Sequence, residues 1–154
     1  DSLEDNAPER LASASYLKAT VQETLRIHPI VTETLRKLKA PLQLGEYHLP
    51  VGMAVAPATV LAHYNPATYD DPESFRPERF LERSYSPFEY MPFGGGHRRC
   101  IGAAFASYEI AIVLGSLLKR FKFELVDTAP VVPKRRNVTM GPSTAVPLRF
   151  LGPR

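Results

Sequence analysis

The stretch FGGGHRRCIG, residues 93–102, sets three consecutive glycines and a pair of arginines directly before the only cysteine of the chain. Bare glycine backbone admits a flat or bulky partner at close range, because no Cβ stands in the way and positive φ is open to it. The run from Ile101 to Arg120 is alanine-rich and helical in pattern, so Cys100 stands at a helix N-terminus. Free amide N–H groups, the helix dipole and the charges of Arg98 and Arg99 all favour a thiolate there. Cys100 therefore reads as a ligand or a nucleophile.

The composition frames that loop. With 154 residues, 44% of them hydrophobic and 23% charged, the chain has the size and make-up of one globular domain with its own core. Its longest apolar run, 110–118, is about half of the roughly 20 residues a membrane span needs, and reads as a buried helix. A net charge of +3 spread along the chain carries no nucleic-acid footprint, while leaving room for a basic face toward an acidic protein. A single cysteine excludes an internal disulfide and makes a cytoplasmic setting the default expectation. The acidic opening Asp1-Ser2-Leu3-Glu4-Asp5 is neither a signal peptide nor a natural start, which points to a piece of a longer protein. Fifteen prolines, about double the usual ~5%, imply much ordered but irregular backbone.

Along the chain, a first helix is expected over about 8–27, with Pro8 at its start, Ala14, Leu17, Val21 and Leu25 on one buried stripe, and Pro29 stopping it at His28. A small β region follows over about 35–61, alternating from Leu42 to Leu49 around Gly45-Glu46 and continuing as an apolar run from Met53 to Leu61. Residues 65–92, rich in proline and poor in periodicity, predict a meander packed over the surface. After the loop at 93–102, a helix over about 101–120 should bury Phe105, Tyr108 or Ile112, and Leu117. A terminal β hairpin region over about 121–151 is expected to hold a strand from Phe121 to Val126. Val138–Met140 should pair with Val146–Leu151 around Gly141-Pro142-Ser143.

Several chemistries compete for the cysteine loop. A phosphate-binding P-loop needs Gly-Lys-Ser/Thr, which Arg99-Cys100 does not supply. A zinc site needs about four N/S ligands, and His28, His48, His63 and His97 show no paired spacing with Cys100. A cysteine hydrolase needs a histidine brought close by the fold, which sequence spacing leaves open. A lone buried cysteine in a glycine-rich turn leaves the arginines without a role. An iron porphyrin accounts for each element: thiolate on iron, glycine backbone against the macrocycle, and arginine on a propionate through a charge-assisted hydrogen bond.

The stretch resembles the haem-binding loop of the cytochromes P450, Phe-x-x-Gly-x-Arg-x-Cys-x-Gly, at Phe93, Gly96, Arg98, Cys100 and Gly102. Glu23-Thr24-Leu25-Arg26 resembles the Glu-x-x-Arg motif of that family's helix K, and Phe75-Arg76-Pro77-Glu78-Arg79-Phe80 its Pro-Glu-Arg-Phe element in the meander. The three motifs come in family order, so the helix at 101–120 corresponds to helix L. The resemblance implies a mainly α fold with small β-sheets, the cytochrome P450 fold, of which this chain is the C-terminal α+β part of a single domain. It also implies that Glu23, Arg26 and Arg79 form a structural network, that haem b (iron protoporphyrin IX) binds through Cys100, and that Arg36 is a second propionate partner. Val31, Thr32, Val138 and Thr139 map to its substrate contacts, with Glu33 nearby. His63, in Ala62-His63-Tyr64-Asn65-Pro66, is expected to make a structural hydrogen bond.

The activity implied is a haem-thiolate monooxygenase inserting one oxygen atom of O2 into a small, hydrophobic organic substrate. Electrons come from a ferredoxin or a flavoprotein reductase, which a basic patch of Arg99, Lys119, Arg120 and Lys122 would receive. Two alternatives remain: a non-catalytic haem-binding remnant, and a haem-thiolate isomerase, dehydratase or peroxygenase needing no external electrons.

Overall fold

Pro8, whose fixed φ suits a first helical turn, opens helix α1 (Pro8–Ser13) in the computed structural model, which describes residues 8–154; the acidic opening lies outside them. The single helix expected over 8–27 is two. Ala14, extended at φ −62° and ψ 111°, separates α1 from α2 (Ser15–Ile27). Ser13 Oγ donates to the Arg10 carbonyl at 3.0 Å and the Ala14 N–H to the Leu11 carbonyl at 3.2 Å, so local bonds close the first helix. α2 ends where Pro29 dictates, with the His28 N–H on the Thr24 carbonyl at 2.8 Å. Val21 and Leu25 are buried as the apolar stripe predicts, but Ala19, Glu23 and Arg26 on another side of α2 are buried as well.

The middle region is a pair of two-stranded antiparallel sheets. β1 (Arg36–Lys37) pairs with β4 (Ala54–Val55), and β2 (Leu42–Leu44) pairs with β3 (Tyr47–Leu49) around Gly45, whose φ of +57° suits the turn. The apolar run at 53–61 is a strand only to Val55, followed by a single antiparallel bridge from Ala58 to Glu33. Pro57 offers no N–H to a ladder, and Thr59–His63 forms helix α3 instead. The meander contains one short helix, α4 (Arg79–Glu82). α2 packs against α1, α3 and α4.

A 3-10 turn over Gly96–Arg98 leads to Cys100, and helix α5 (Ala103–Arg120) begins two residues later than expected, capped at Gly102. Its inward face is not the bulky one predicted. Ala103, Ala111 and Gly115 are buried, whereas Phe105, Tyr108 and Leu117 are exposed. α1 and α2 come so close that a Cβ on Gly115 would lie 3.0 Å from Leu17 Cδ2 and 3.2 Å from Leu11 Cδ2. Only small residues fit that contact.

The terminal pairing also differs from expectation. β5 (Phe121–Leu125) pairs with β8 (Leu148–Pro153), and β6 (Pro133–Arg136) pairs with β7 (Thr139–Pro142). The hairpin reverses at Asn137, held at φ +59°, rather than at Gly141-Pro142-Ser143, because asparagine tolerates the left-handed conformation. Pairing β8 with β5 brings Phe150 to 5.5 Å from Phe121 and 6.1 Å from Phe123, ring centre to ring centre. Among the described residues no helix is long and apolar enough to cross a membrane.

Candidate functional site

The two largest fully buried side chains among the described residues are those of Arg26 and Arg79. Arg26 and Glu23 are 0% exposed and Arg79 is 1% exposed. Three residues apart on α2, Glu23 and Arg26 share a side, and the guanidinium meets the carboxylate fork to fork: Nε to Oε2 at 2.7 Å and Nη2 to Oε1 at 2.8 Å. From α4, Arg79 Nε donates to Glu23 Oε1 at 3.1 Å, and the backbone N–H of Arg76 adds a bond to the same oxygen at 2.9 Å. One carboxylate thus holds two guanidinium groups. The surplus positive charge is taken up by carbonyls: His63 and Ser74 for Arg26, and Asp70, Asp71 and Ser74 for Arg79. Tyr69, fully buried, lays its ring 4.9 Å from Arg26 Cζ and 5.8 Å from Arg79 Cζ. Burial pushes the Glu23 carboxyl upward, but the bonds from Arg26, Arg76 and Arg79 outweigh it and hold it below its ordinary value. The structure brings Glu23, Arg26 and Arg79 together in one hydrogen-bonded cluster, which pins the irregular segment 63–79 to α2.

The next stretch of backbone carries the cysteine. Tyr90 donates to the Gln22 carbonyl at 3.1 Å, the Gly94 N–H to the Met91 carbonyl at 2.9 Å, and the Cys100 N–H to the Phe93 carbonyl at 2.9 Å. Gly94 and Gly96 sit at φ +69° and +61°, and a Cβ on Gly94, Gly95 or Gly96 would meet nothing within 4 Å. The loop therefore presents bare backbone to open space. Cys100 is exposed, and neither its thiol nor Arg98 has a side-chain partner among the described residues. Ile101 and Phe105 stand exposed beside it. A soft sulfur donor, an open glycine surface, apolar flanks and a free guanidinium suit an iron porphyrin with its propionates. No group of three His, Cys, Asp or Glu residues able to hold a metal ion occurs among the described residues.

The sequence profile of the family described as Cytochrome P450 matches residues 5–148. The chain belongs to the cytochrome P450 family. Cytochrome P450 135B1 of Mycobacterium tuberculosis is 40% identical over 138 residues, covering 90% of this chain and 29% of that protein. Tabersonine 3-oxygenase of Catharanthus roseus is 36% identical over 134 residues, covering 82% of this chain and 26% of that one. The crystal structure of the cytochrome P450 CYP102L1 superposes with a TM-score of 0.82 at 30% identity, over 95% of this chain and 33% of that one. The chain spans less than a third of the curated relatives it matches. Its mainly α architecture with small sheets is that part of the cytochrome P450 fold.

The remaining predicted residues are dispersed. Arg36 is exposed on β1, its Nη1 on the neighbouring Leu35 carbonyl at 2.9 Å. Thr32 lines a cleft of about 600 Å³ with Ile27, Ile30, Val131, Met140 and Val146. Thr32 also bonds Glu33, which pairs with Arg135 of β6 at 2.7 Å. Val31 is half-buried outside that cleft lining, Val138 is exposed at the hairpin turn, and Thr139 Oγ1 donates to the Arg136 carbonyl at 3.0 Å. In the basic patch, Arg99, Arg120 and Lys122 are exposed. The Lys119 ammonium is buried with no hydrogen-bond partner among the described residues. Tyr69 and Tyr90, which fasten the network to the loop, were not singled out in the sequence, since a tyrosine's partners there are backbone carbonyls remote in the chain.

Proposed function

We propose that this chain forms the thiolate side of a haem-thiolate monooxygenase, which inserts one oxygen atom of O2 into a hydrophobic organic substrate using electrons from a ferredoxin or flavoprotein reductase. The observation that carries this reading is Cys100: an exposed thiol, unpartnered among the described residues, on a loop whose glycines leave open space and whose base is tied to a buried charge network. Membership of the cytochrome P450 family supports it. When bound, haem b supplies dioxygen activation, and thiolate ligation pushes electron density that favours O–O cleavage.

The chain's own residues hold and orient. Cys100 would supply the sulfur that holds the iron, and Arg98 would bind a propionate through charge-assisted hydrogen bonds, with Arg36 as the candidate for the second. The glycines would leave room for the macrocycle, and Glu23, Arg26 and Arg79 would keep the backbone that leads into the cysteine loop from yielding. Thr32, in the apolar cleft, is the best placed of the four candidate substrate contacts. A reducing, cytoplasmic setting fits a lone exposed thiol.

The test is the spectrum of the reduced, carbon monoxide-bound protein. A strongly red-shifted band is expected for the natural sequence and its loss for Cys100→Ser; the same spectrum in both refutes thiolate ligation by Cys100. Product formation that needs no reduced nicotinamide or redox partner would replace monooxygenation with isomerase or peroxygenase chemistry. Haem uptake without turnover would mark a binding remnant.

A further inference from the structure

We propose that His63 is a positioning residue for Cys100, a tautomer-locked strut that carries the rigidity of the Glu23–Arg26–Arg79 network into the backbone presenting the thiol. The assignment rests on the reading of Cys100 as the haem ligand.

His63 closes α3 and is 0% exposed. Its Nδ1 lies 3.2 Å from the Arg26 carbonyl oxygen, and the Met91 N–H donates to its Nε2 at 2.9 Å. A carbonyl only accepts and a backbone N–H only donates, so both contacts exist only when the proton is on Nδ1 and the lone pair on Nε2. The coupling to Arg26 is reciprocal: Arg26 Nη1 donates to the His63 carbonyl at 2.8 Å while the His63 ring donates to the Arg26 carbonyl. Side chain and main chain of each residue thus fix the other.

From the far side of the ring the path runs directly into the loop. Met91, held by Nε2, accepts the Gly94 N–H through its carbonyl at 2.9 Å, and Phe93 accepts the Cys100 N–H at 2.9 Å. Tyr90 stacks on the His63 ring at 5.5 Å with 19° between planes, which fixes the ring's orientation. Burial keeps the ring neutral, and the Arg26 guanidinium acts in the same direction, against the opposing pull of the Arg26 carbonyl. Met91 is the last residue gripped by a side chain of the buried core before the glycines, so its hold sets where the loop begins.

Two variants separate positioning from mere filling of space. His63→Phe keeps a flat ring against Tyr90 and removes both hydrogen bonds, whereas His63→Gln offers one donor and one acceptor again. The full natural protein, haem-loaded and in its diamagnetic reduced carbonyl form, should show an N–N coupling across the hydrogen bond between the Met91 amide and His63 Nε2. In His63→Phe, exchange of the Met91 and Gly94 amides should quicken about tenfold, while amides in the middle of α5 stay unchanged. The share of protein with the thiolate-type carbon monoxide band should fall, and His63→Gln should recover part of both effects. A missing coupling in a wild type that shows the thiolate band overturns this assignment alone. Exchange that is unchanged, or quickened equally across α5, does the same. A wild type without the thiolate band overturns the functional reading and this assignment with it. Should His63→Phe fail to fold, the wild-type coupling decides.

Discussion

Replacing Arg26 by alanine removes four hydrogen bonds from a site closed to water: two to Glu23 at 2.7 and 2.8 Å, one to the His63 carbonyl at 2.8 Å and one to the Ser74 carbonyl at 3.3 Å. Glu23 keeps Arg79 Nε at 3.1 Å and the Arg76 N–H at 2.9 Å, so its charge is under-compensated rather than bare. Breaking a buried pair by deleting one partner costs about 3–5 kcal/mol, and Arg26→Ala is placed near the middle of that range, about 4 kcal/mol. Total stabilities run about 5–15 kcal/mol, so the loss is a large part of the whole. Urea unfolding of the full natural protein, followed by far-ultraviolet circular dichroism, measures the loss, and haem retention reports its effect on the loop. If the loss comes from the orphaned carboxylate, Glu23→Gln added to Arg26→Ala should restore part of it. An Arg26→Ala variant with an unchanged urea midpoint and wild-type haem retention would refute the reasoning.

At Gly115, alanine gains about 1 kcal/mol of helix propensity and meets the movable end of Leu17 at 3.0 Å, so it should be near neutral; valine should cost about 1–3 kcal/mol, and equal melting temperatures for the two would contradict the close packing of α5 on α1 and α2. Burial pushes His63 from 6.5 down to about 4, so the unfolded chain takes a proton before the folded one does. Stability is then full above about pH 6.5 and falls by about 3 kcal/mol by about pH 4, with Glu23 adding loss of the same sign as pH drops through its lowered value; a His63→Phe variant with an equally steep decline argues against this source. Cys100→Ser should leave the stability of the haem-free protein within about 0.5 kcal/mol of wild type, since the thiol is exposed and has no partner among the described residues, while abolishing the thiolate-type spectrum. Reduction by an acidic electron donor should slow as salt rises, through exposed Arg99, Arg120 and Lys122; a salt-independent rate would remove the patch from the reaction.

Part of the fold and of the site is legible in the amino-acid sequence. The loop at 93–102 stands out because glycine, arginine and cysteine in that order share one chemical reason, whereas Glu23, Arg26 and Arg79 are legible as a set only through the resemblance of their motifs to those of the cytochromes P450. Periodicity located α2 and α5 but misjudged how they pack. The inward face of α5 is its small residues, since a stripe of alanine and glycine is apolar to the eye only when a neighbouring helix is known to approach within touching distance. Strand pairing from Phe121 onward is ambiguous in the sequence because several short apolar runs can pair with one another, and the choice falls to Asn137 at positive φ and to the rings that β5 and β8 bring together.

The sequence by itself determined the chemistry available, a lone thiol on a bare, positively charged loop, and the local starts and stops written in proline, glycine and asparagine. Tertiary structure alone decided that carbonyls at 63, 70, 71 and 74 absorb the excess charge of the buried Glu23–Arg26–Arg79 cluster, and that one histidine joins that cluster to the cysteine loop. Charge burial and hydrogen-bond geometry depend on groups far apart in the chain meeting within about 3 Å, and no spacing within a sequence encodes that distance.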